Sequence, residues 1–226
     1  MYRGIFLDVD DTLLDFDACA AHALRRGLEM RGEVYRSEML AVFRRINRGF
    51  WQKIETGEIT RAQLARDRFN AVFAALGLGH LDGAAFEVDF KRFLNDSAEL
   101  MPYAAETVAY LAARYPLYVA SNGPQRQQER RLAMAGLLPY IKTVFTSEAI
   151  GAEKPSPAFF AACFAQLPGI APGELLFVGD SLTADIAGGI ACGMDTCWYH
   201  PRSVECAGDI RPTYTITDLR QLREIV

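Results

Sequence analysis

A chain of 226 residues, half of them apolar, is long enough to bury a full core and to carry one domain or one and a half. Its formal net charge of −4 gives no reason to expect a nucleic-acid partner or a membrane surface, and no apolar run approaches the roughly 20 residues of a membrane span. Met1-Tyr2-Arg3-Gly4 leads straight into a strand-like run that ends in acids, which does not read as a signal peptide, so the expected location is the cytoplasm.

The five cysteines, Cys19, Cys163, Cys192, Cys197 and Cys206, form no C-x-x-C pair and are odd in number. They read as reduced thiols filling small apolar spaces. His22, His80 and His200 are scattered, which suits structural or surface roles.

Residues 4–8 read as a short buried strand. Asp8, Asp10 and Asp11 then place three carboxylates in four positions. On a strand Asp8 and Asp10 tend to one side, where their repulsion requires a cation or a proton. Two readings follow: an acid pair that binds a metal or does covalent chemistry, or a solvated acidic turn.

From Asp17 to Ser97 helical spacing replaces strand-like runs. Ser37 is placed to cap a helix carrying Leu40, Phe43, Ile46, Phe50 and Ile54. Thr60 and Gln63 form a capping box before Leu64, Phe69, Val72, Phe73 and Leu76, and Gly77 and Gly79 stop that helix. Phe86, Phe90, Phe93 and Leu94 make a further face.

Strand and helix alternate after this block. Helices are predicted over 105–115, 125–134, 157–166, 183–192 and 218–225, and strands over 117–120, 143–146, 175–178 and 196–199. Such alternation implies an α/β fold with a parallel sheet covered on both faces. The strands before Asp8, Ser121 and Asp180 all end in polar or acidic residues, and in open parallel sheets the site lies beyond the carboxyl ends of the strands. Three distant segments should therefore converge.

Four pieces, in order, carry a resemblance: Asp8-Val9-Asp10-Asp11-Thr12, matching D-x-D-x-T; Ser121-Asn122-Gly123 at a strand end; Lys154-Pro155; and Gly179-Asp180-Ser181-Leu182-Thr183-Ala184-Asp185, matching G-D-x-x-x-x-D. Together they resemble the haloacid dehalogenase-like hydrolase superfamily over nearly the whole chain. The resemblance implies a Rossmann-like α/β core over residues 1–15 and 98–226, with an inserted helical cap of the first type over 16–97. There is no large insertion between Lys154 and Asp180, so a cap of the second type is absent.

The same resemblance implies roles. Asp8 resembles the nucleophile that forms an aspartyl-phosphate, and Asp10 the general acid/base, two carboxylates whose environments must separate their pKa values. Asp8, Asp180 and the backbone carbonyl of Asp10 resemble the Mg²⁺ ligands, hard oxygen donors around a substrate phosphate. Asp185 resembles an outer acid that orients a metal water or Lys154. Ser121, with the N–H groups of Asn122 and Gly123, resembles the phosphate-binding donors, and Lys154 the cation that stabilises the phosphoryl charge. Haloacid dehalogenases lack an acid at the position of Asp10, because a halide leaves without a proton, so Asp10 favours phosphoryl transfer.

A looser resemblance concerns the substrate. Asn47-Arg48-Gly49-Phe50-Trp51, Glu55 to Thr60, Gln63-Leu64, Ser121-Asn122-Gly123 with Gln127, and the run from Gly189 to Trp198 look like the bacterial pyrimidine 5′-nucleotidase branch. Phe50 and Trp51 suit either packing within the helical block or stacking on a base, and Arg48 suits contact with a nucleotide. The expected substrate is a small phosphomonoester, a nucleoside monophosphate first, for a monomer or homodimer. A sugar-phosphate or phosphoglycolate phosphatase, a phosphomutase and a non-catalytic module of the same fold are the competing readings. The presence of Asp8, Asp10, Lys154 and Asp180 together weighs against the last.

Overall fold

The computed structural model describes residues 2–201 and 209–226. The chain runs β1 (Gly4–Leu7), then the helices α1 (Phe16–Glu29), α2 (Glu38–Glu55), α3 (Arg61–Leu76) and α4 (Gly83–Asn95). It continues through α5 (Ala104–Ala112), β2 (Leu117–Ser121), α6 (Gln125–Met134), β3 (Ile141–Thr146), α7 (Ser147–Ile150) and α8 (Pro157–Phe164). β4 (Leu175–Gly179), α9 (Ala187–Ala191), β5 (Asp195–Tyr199), β6 (Tyr214–Ile216) and α10 (Leu222–Ile225) complete it. Two compact units result: the chain up to Asp15 with Glu99–Val226, and Phe16–Ala98.

The first unit is built on a parallel six-stranded sheet in the order β3-β2-β1-β4-β5-β6. Its central strands read as unbroken apolar runs because both faces are covered, and the period of two sorts the side chains. Ile5, Leu7 and Val9 join Val119, Leu176 and Val178 on one face, under Val108, Leu111, Leu132 and Leu222. Phe6, Tyr118 and Phe177 fill the other face with Phe159, Phe160 and Cys163. Phe6 lies 5.2, 5.7 and 6.0 Å from the rings of Tyr118, Phe145 and Phe177.

Register positions the site. Leu7 pairs with both Val119 and Val178, so β1, β4 and β2 end within two residues of one another. The Asp8 N–H donates to the Val178 carbonyl at 3.0 Å, which carries the pairing one residue past β1. Val9 then closes a tight turn: its carbonyl accepts from Leu13 at 2.9 Å and Leu14 at 2.8 Å. Asp11, at φ 61°, takes the left-handed conformation inside that turn, one that Asp tolerates better than most side chains.

The helical unit packs around an aromatic centre of Phe43, Phe69, Phe73, Phe86 and Phe90. Gly27 on α1 lets α4 approach, since a Cβ there would meet the Phe86 ring at 2.6 Å. Thr60 and Gln63 form the capping box of α3, and Gly77 ends that helix in the left-handed region at φ 72°.

Several elements differ from expectation. Ser37 precedes α2 but makes no capping bond, because its helical backbone (φ −56°, ψ −34°) does not aim the hydroxyl at the first turn. The helix predicted over 183–192 begins as a π-wound turn, Leu182–Ile186, before α9. The last helix is a 3₁₀ turn, Leu219–Gln221, followed by α10. β6 was not expected: three residues between polar neighbours give no apolar run to read. Cys19, Cys163 and Cys197 are buried thiols, Cys192 is half-buried, and Cys206 lies outside the described residues.

Candidate active site

Lys154 is the hub of the site at the carboxyl end of the sheet. It is buried, and its Nζ donates to Asp8 Oδ1 at 2.7 Å, Asp185 Oδ1 at 2.6 Å and the Ala120 carbonyl at 2.7 Å. Three acceptors match the three N–H bonds of an ammonium. The backbone of Lys154 is pinned as well: its N–H donates to Asn122 Oδ1 at 2.8 Å, and Asn122 Nδ2 donates to its carbonyl at 3.0 Å. The lysine therefore reaches Asp8 from a fixed root.

Asp185 is held from both ends. Its Oδ1 takes Lys154, and its Oδ2 accepts from the Ser181 N–H at 3.0 Å. The π-wound turn presents it there, and glycine at 179 is required: a Cβ at Gly179 would meet the Asp185 Cβ at 2.7 Å. Of the two tasks expected of Asp185, the geometry shows the contact with Lys154.

Ser121 is buried at the end of β2. Its Oγ accepts from Gln128 Nε2 at 2.9 Å and from the Gly123 N–H at 3.0 Å. With both acceptor positions taken, its O–H is left to donate. The Gly123 N–H, expected to face a phosphate, is engaged inside this turn instead. Asp10 turns its carboxylate to α6: Oδ2 accepts from Gln128 Nε2 at 2.7 Å, and Oδ1 pairs with the buried Arg131 Nη1 at 2.5 Å.

Asp8, Asp180 and Asp185 bring carboxylate oxygens within 4.8 Å of one another. Of these three carboxylates, the Lys154 ammonium bonds Asp8 and Asp185. Burial pushes Asp8 up to about 7, the Asp185 and Asp10 charges adding to the rise and Lys154 opposing it. Asp180 is raised well above the carboxylate range by loss of solvation and by repulsion from Asp185, Asp8 and Asp11. Burial would lower Lys154, but Asp185 and Asp8 outweigh it and hold the ammonium above its ordinary range. The Asp180 carboxylate has no hydrogen-bond donor among the described residues, while the Trp198 indole N–H fixes its backbone carbonyl at 2.8 Å. Three clustered carboxylates, that of Asp180 without a donor among the described residues, fit a hard divalent cation such as Mg²⁺.

The family model for haloacid dehalogenase-like hydrolases matches residues 2–193. The chain belongs to that family. It is 38% identical to the HAD-hydrolase YfnB of Bacillus subtilis over 100% of this chain and 95% of that protein. It is 33% identical to the pyrimidine 5′-nucleotidase PynA of Streptococcus pneumoniae, over 98% of this chain and 93% of that protein. It is 29% identical to the pyrimidine 5′-nucleotidase YjjG of Escherichia coli, over 98% and 96%. The crystal structure of YfnB bound to magnesium superposes with a TM-score of 0.93, covering 99% of this chain and 98% of that one.

Within this haloacid dehalogenase-like hydrolase, Asp8, Asp10, Ser121, Lys154, Asp180 and Asp185 come together, with the Asn122 side chain anchoring Lys154. Arg48, Phe50 and Trp51 stand on α2 of the helical unit. Arg48 is exposed, Trp51 carries the Arg61 guanidinium at 5.6 Å from its ring, and Phe50 follows the spacing of the buried Phe43, Asn47 and Ile54. Three residues of the site escape sequence reading. Gln128, not Gln127, turns inward, Arg131 follows one turn later, and Trp198 braces Asp180. The spacing of Gln128, Arg131 and Leu132 along α6 is the one signal for that buried face.

Proposed function

We propose that this hydrolase is a Mg²⁺-dependent phosphomonoesterase that works through an aspartyl-phosphate on Asp8. The observation that carries the reading is the Lys154 ammonium shared between Asp8 and Asp185 beside the donorless Asp180 carboxylate. A cation held by Asp8, Asp180 and the Asp10 carbonyl would neutralise the acid cluster and polarise the phosphoryl group when bound.

The residues divide the work. Lys154 holds one oxygen of Asp8, so the other is aimed as the attacking atom. The Asp8 oxygen forms a bond to phosphorus as the ester oxygen departs with the proton of Asp10. Asp10 next takes a proton from water, whose oxygen attacks phosphorus and releases Asp8 and inorganic phosphate. Ser121 Oγ–H and Lys154 bind the phosphoryl oxygens whose charge grows in each transition state.

The substrate class is a nucleoside monophosphate, with pyrimidine nucleotides first. Support comes from the two nucleotidase relatives and from α2, where Arg48 and Trp51, three apart, share one helix face. The helical unit is assigned the choice of substrate, as the family's cap, and Arg48 and Trp51 the contacts to the nucleotide. Phosphate release from UMP, dUMP, TMP, sugar phosphates and phosphoglycolate, with and without Mg²⁺, tests this. The expected result is Mg²⁺-dependent hydrolysis favouring the nucleotides; preference for a sugar phosphate overturns the substrate assignment while leaving the mechanism standing.

A further inference from the structure

Two polar residues on one face of α6 are fully buried, Gln128 and Arg131. Desolvating a guanidinium and an amide is costly unless each is well paired. Their partners are the site itself. Arg131 Nη1 lies 2.5 Å from Asp10 Oδ1 and 3.3 Å from Gln128 Oε1. Gln128 Nε2 uses its two N–H bonds on Asp10 Oδ2, at 2.7 Å, and Ser121 Oγ, at 2.9 Å.

Each oxygen of Asp10 therefore has its own donor, which fixes both torsions of a side chain that otherwise rotates freely. One amide nitrogen also spans Asp10 and Ser121, which come from different strand ends. Gly123 keeps the space open, since a Cβ there would meet Gln128 Cδ at 2.7 Å and Cγ at 3.0 Å. The buried face of α6 is thus shaped around the carboxylate of Asp10 and the hydroxyl of Ser121.

We propose that Gln128 and Arg131 are positioning residues, which hold the Asp10 carboxylate in register with Ser121 so that proton transfer and phosphoryl binding act on the same group. This rests on reading Asp10 as the general acid/base. It explains why a helix that looks solvated in sequence turns Gln128 and Arg131 inward while Arg126 and Arg130 stay exposed.

The leaving group separates this role from a merely structural one. An alkoxide needs the proton of Asp10 in order to depart, whereas p-nitrophenolate leaves without it. Since kcat/KM reports the steps up to loss of the leaving group, it is measured for UMP, or the best alkyl phosphomonoester of the panel, and for p-nitrophenyl phosphate. Gln128→Met and Arg131→Met are expected to lose on the order of 100-fold on the alkyl ester, the scale of a misplaced catalytic group, and about tenfold or less on p-nitrophenyl phosphate, whose phosphoryl group still relies on Ser121. Arg131→Lys, which keeps a cationic donor without the fork, is expected to fall between Arg131→Met and wild type on the alkyl ester.

Equal losses on the two esters, or no loss on the alkyl ester, overturn the proposal. Thermal unfolding checks each variant; if Arg131→Met does not fold, Gln128→Met, which removes no charge, is held to the same criterion. Asp8→Asn is assayed alongside. If it is inactive on both esters while the α6 variants lose equally on both, the positioning role alone is rejected. If it stays active, the aspartyl mechanism falls and the positioning role with it.

Discussion

Lys154 Nζ stands 2.6 Å from Asp185 Oδ1, slightly nearer than its 2.7 Å contact with Asp8 Oδ1. The lysine that reaches the proposed nucleophile, Asp8, is thus held as closely by a second acid, Asp185. Asp185→Asn keeps an acceptor for Lys154 but removes the charge that balances it. Removing such an orienting partner typically costs about 10- to 100-fold in activity. We expect a fall of that size in kcat with a largely unchanged thermal midpoint, measured by phosphate release and by calorimetry; a wild-type kcat would show that Lys154 needs no help from Asp185.

Asp8→Asn tests the proposed nucleophile. Asn retains an oxygen for Lys154 and an isosteric shape, so circular dichroism should match wild type. Hydrolysis of any phosphomonoester should drop by at least about a thousandfold, because no covalent intermediate forms. Trapping with labelled substrate and acid quench should find phosphoprotein in wild type and none in the variant.

The metal-free protein should lose stability as pH rises from about 4 to about 7. Asp8 keeps its proton up to about 7 in the folded chain, whereas a carboxyl in the unfolded chain ionises near 4. In that window the native state binds more protons than the unfolded state, so the slope of unfolding free energy against pH is negative. Asp180, also raised, contributes with the same sign. Lys154, raised in the folded state, contributes stability that is present across this window and is lost only at much higher pH. A divalent cation needs these carboxylates ionised, so the Tm gained with saturating Mg²⁺ should be small at pH 5 and larger at pH 8. Equal gains at the two pH values would place the ion elsewhere.

The parts of the molecule most legible in sequence are those where burial and residue type agree. Strands covered on both faces show as plain apolar runs, and the acids that follow Leu7 and Gly179 mark where they end. Thr60 and Gln63 announce a helix start through their own hydrogen bonds. Gln128, Arg131 and Arg68 are harder to read because each is buried through pairing, which leaves no hydrophobic periodicity: α6 reads as solvated although Gln128 and Arg131 are fully buried. Asp185 was visible from its spacing, but its hold on Lys154 depends on a π-wound turn that no local pattern specifies. Trp198 reads as a strand residue, and only the register of β5 against β4, Trp198 opposite Gly179, brings its indole to Asp180.

Arg68 in the helical unit shows the same logic. Its guanidinium donates to Glu87 through Nη2 at 2.8 and 2.9 Å and through Nε at 3.2 Å, and Nη1 donates to Asn47 at 2.6 Å. It lies 5.2 to 5.5 Å from the rings of Phe43, Phe69 and Phe90. Burial lowers its pKa, with Glu87 opposing. Removing one partner leaves a buried charge uncompensated, so Glu87→Ala should cost about 3–5 kcal/mol. Replacing both partners by apolar side chains of similar volume, Arg68→Met with Glu87→Met, removes that penalty, so the double variant should be more stable than Glu87→Ala and near wild type. Urea unfolding of Glu87→Ala gives the single loss, and that of Arg68→Met, Glu87→Met and the double variant measures the coupling. Additive losses would mean that the pair contributes through packing on the phenylalanines rather than through its charges.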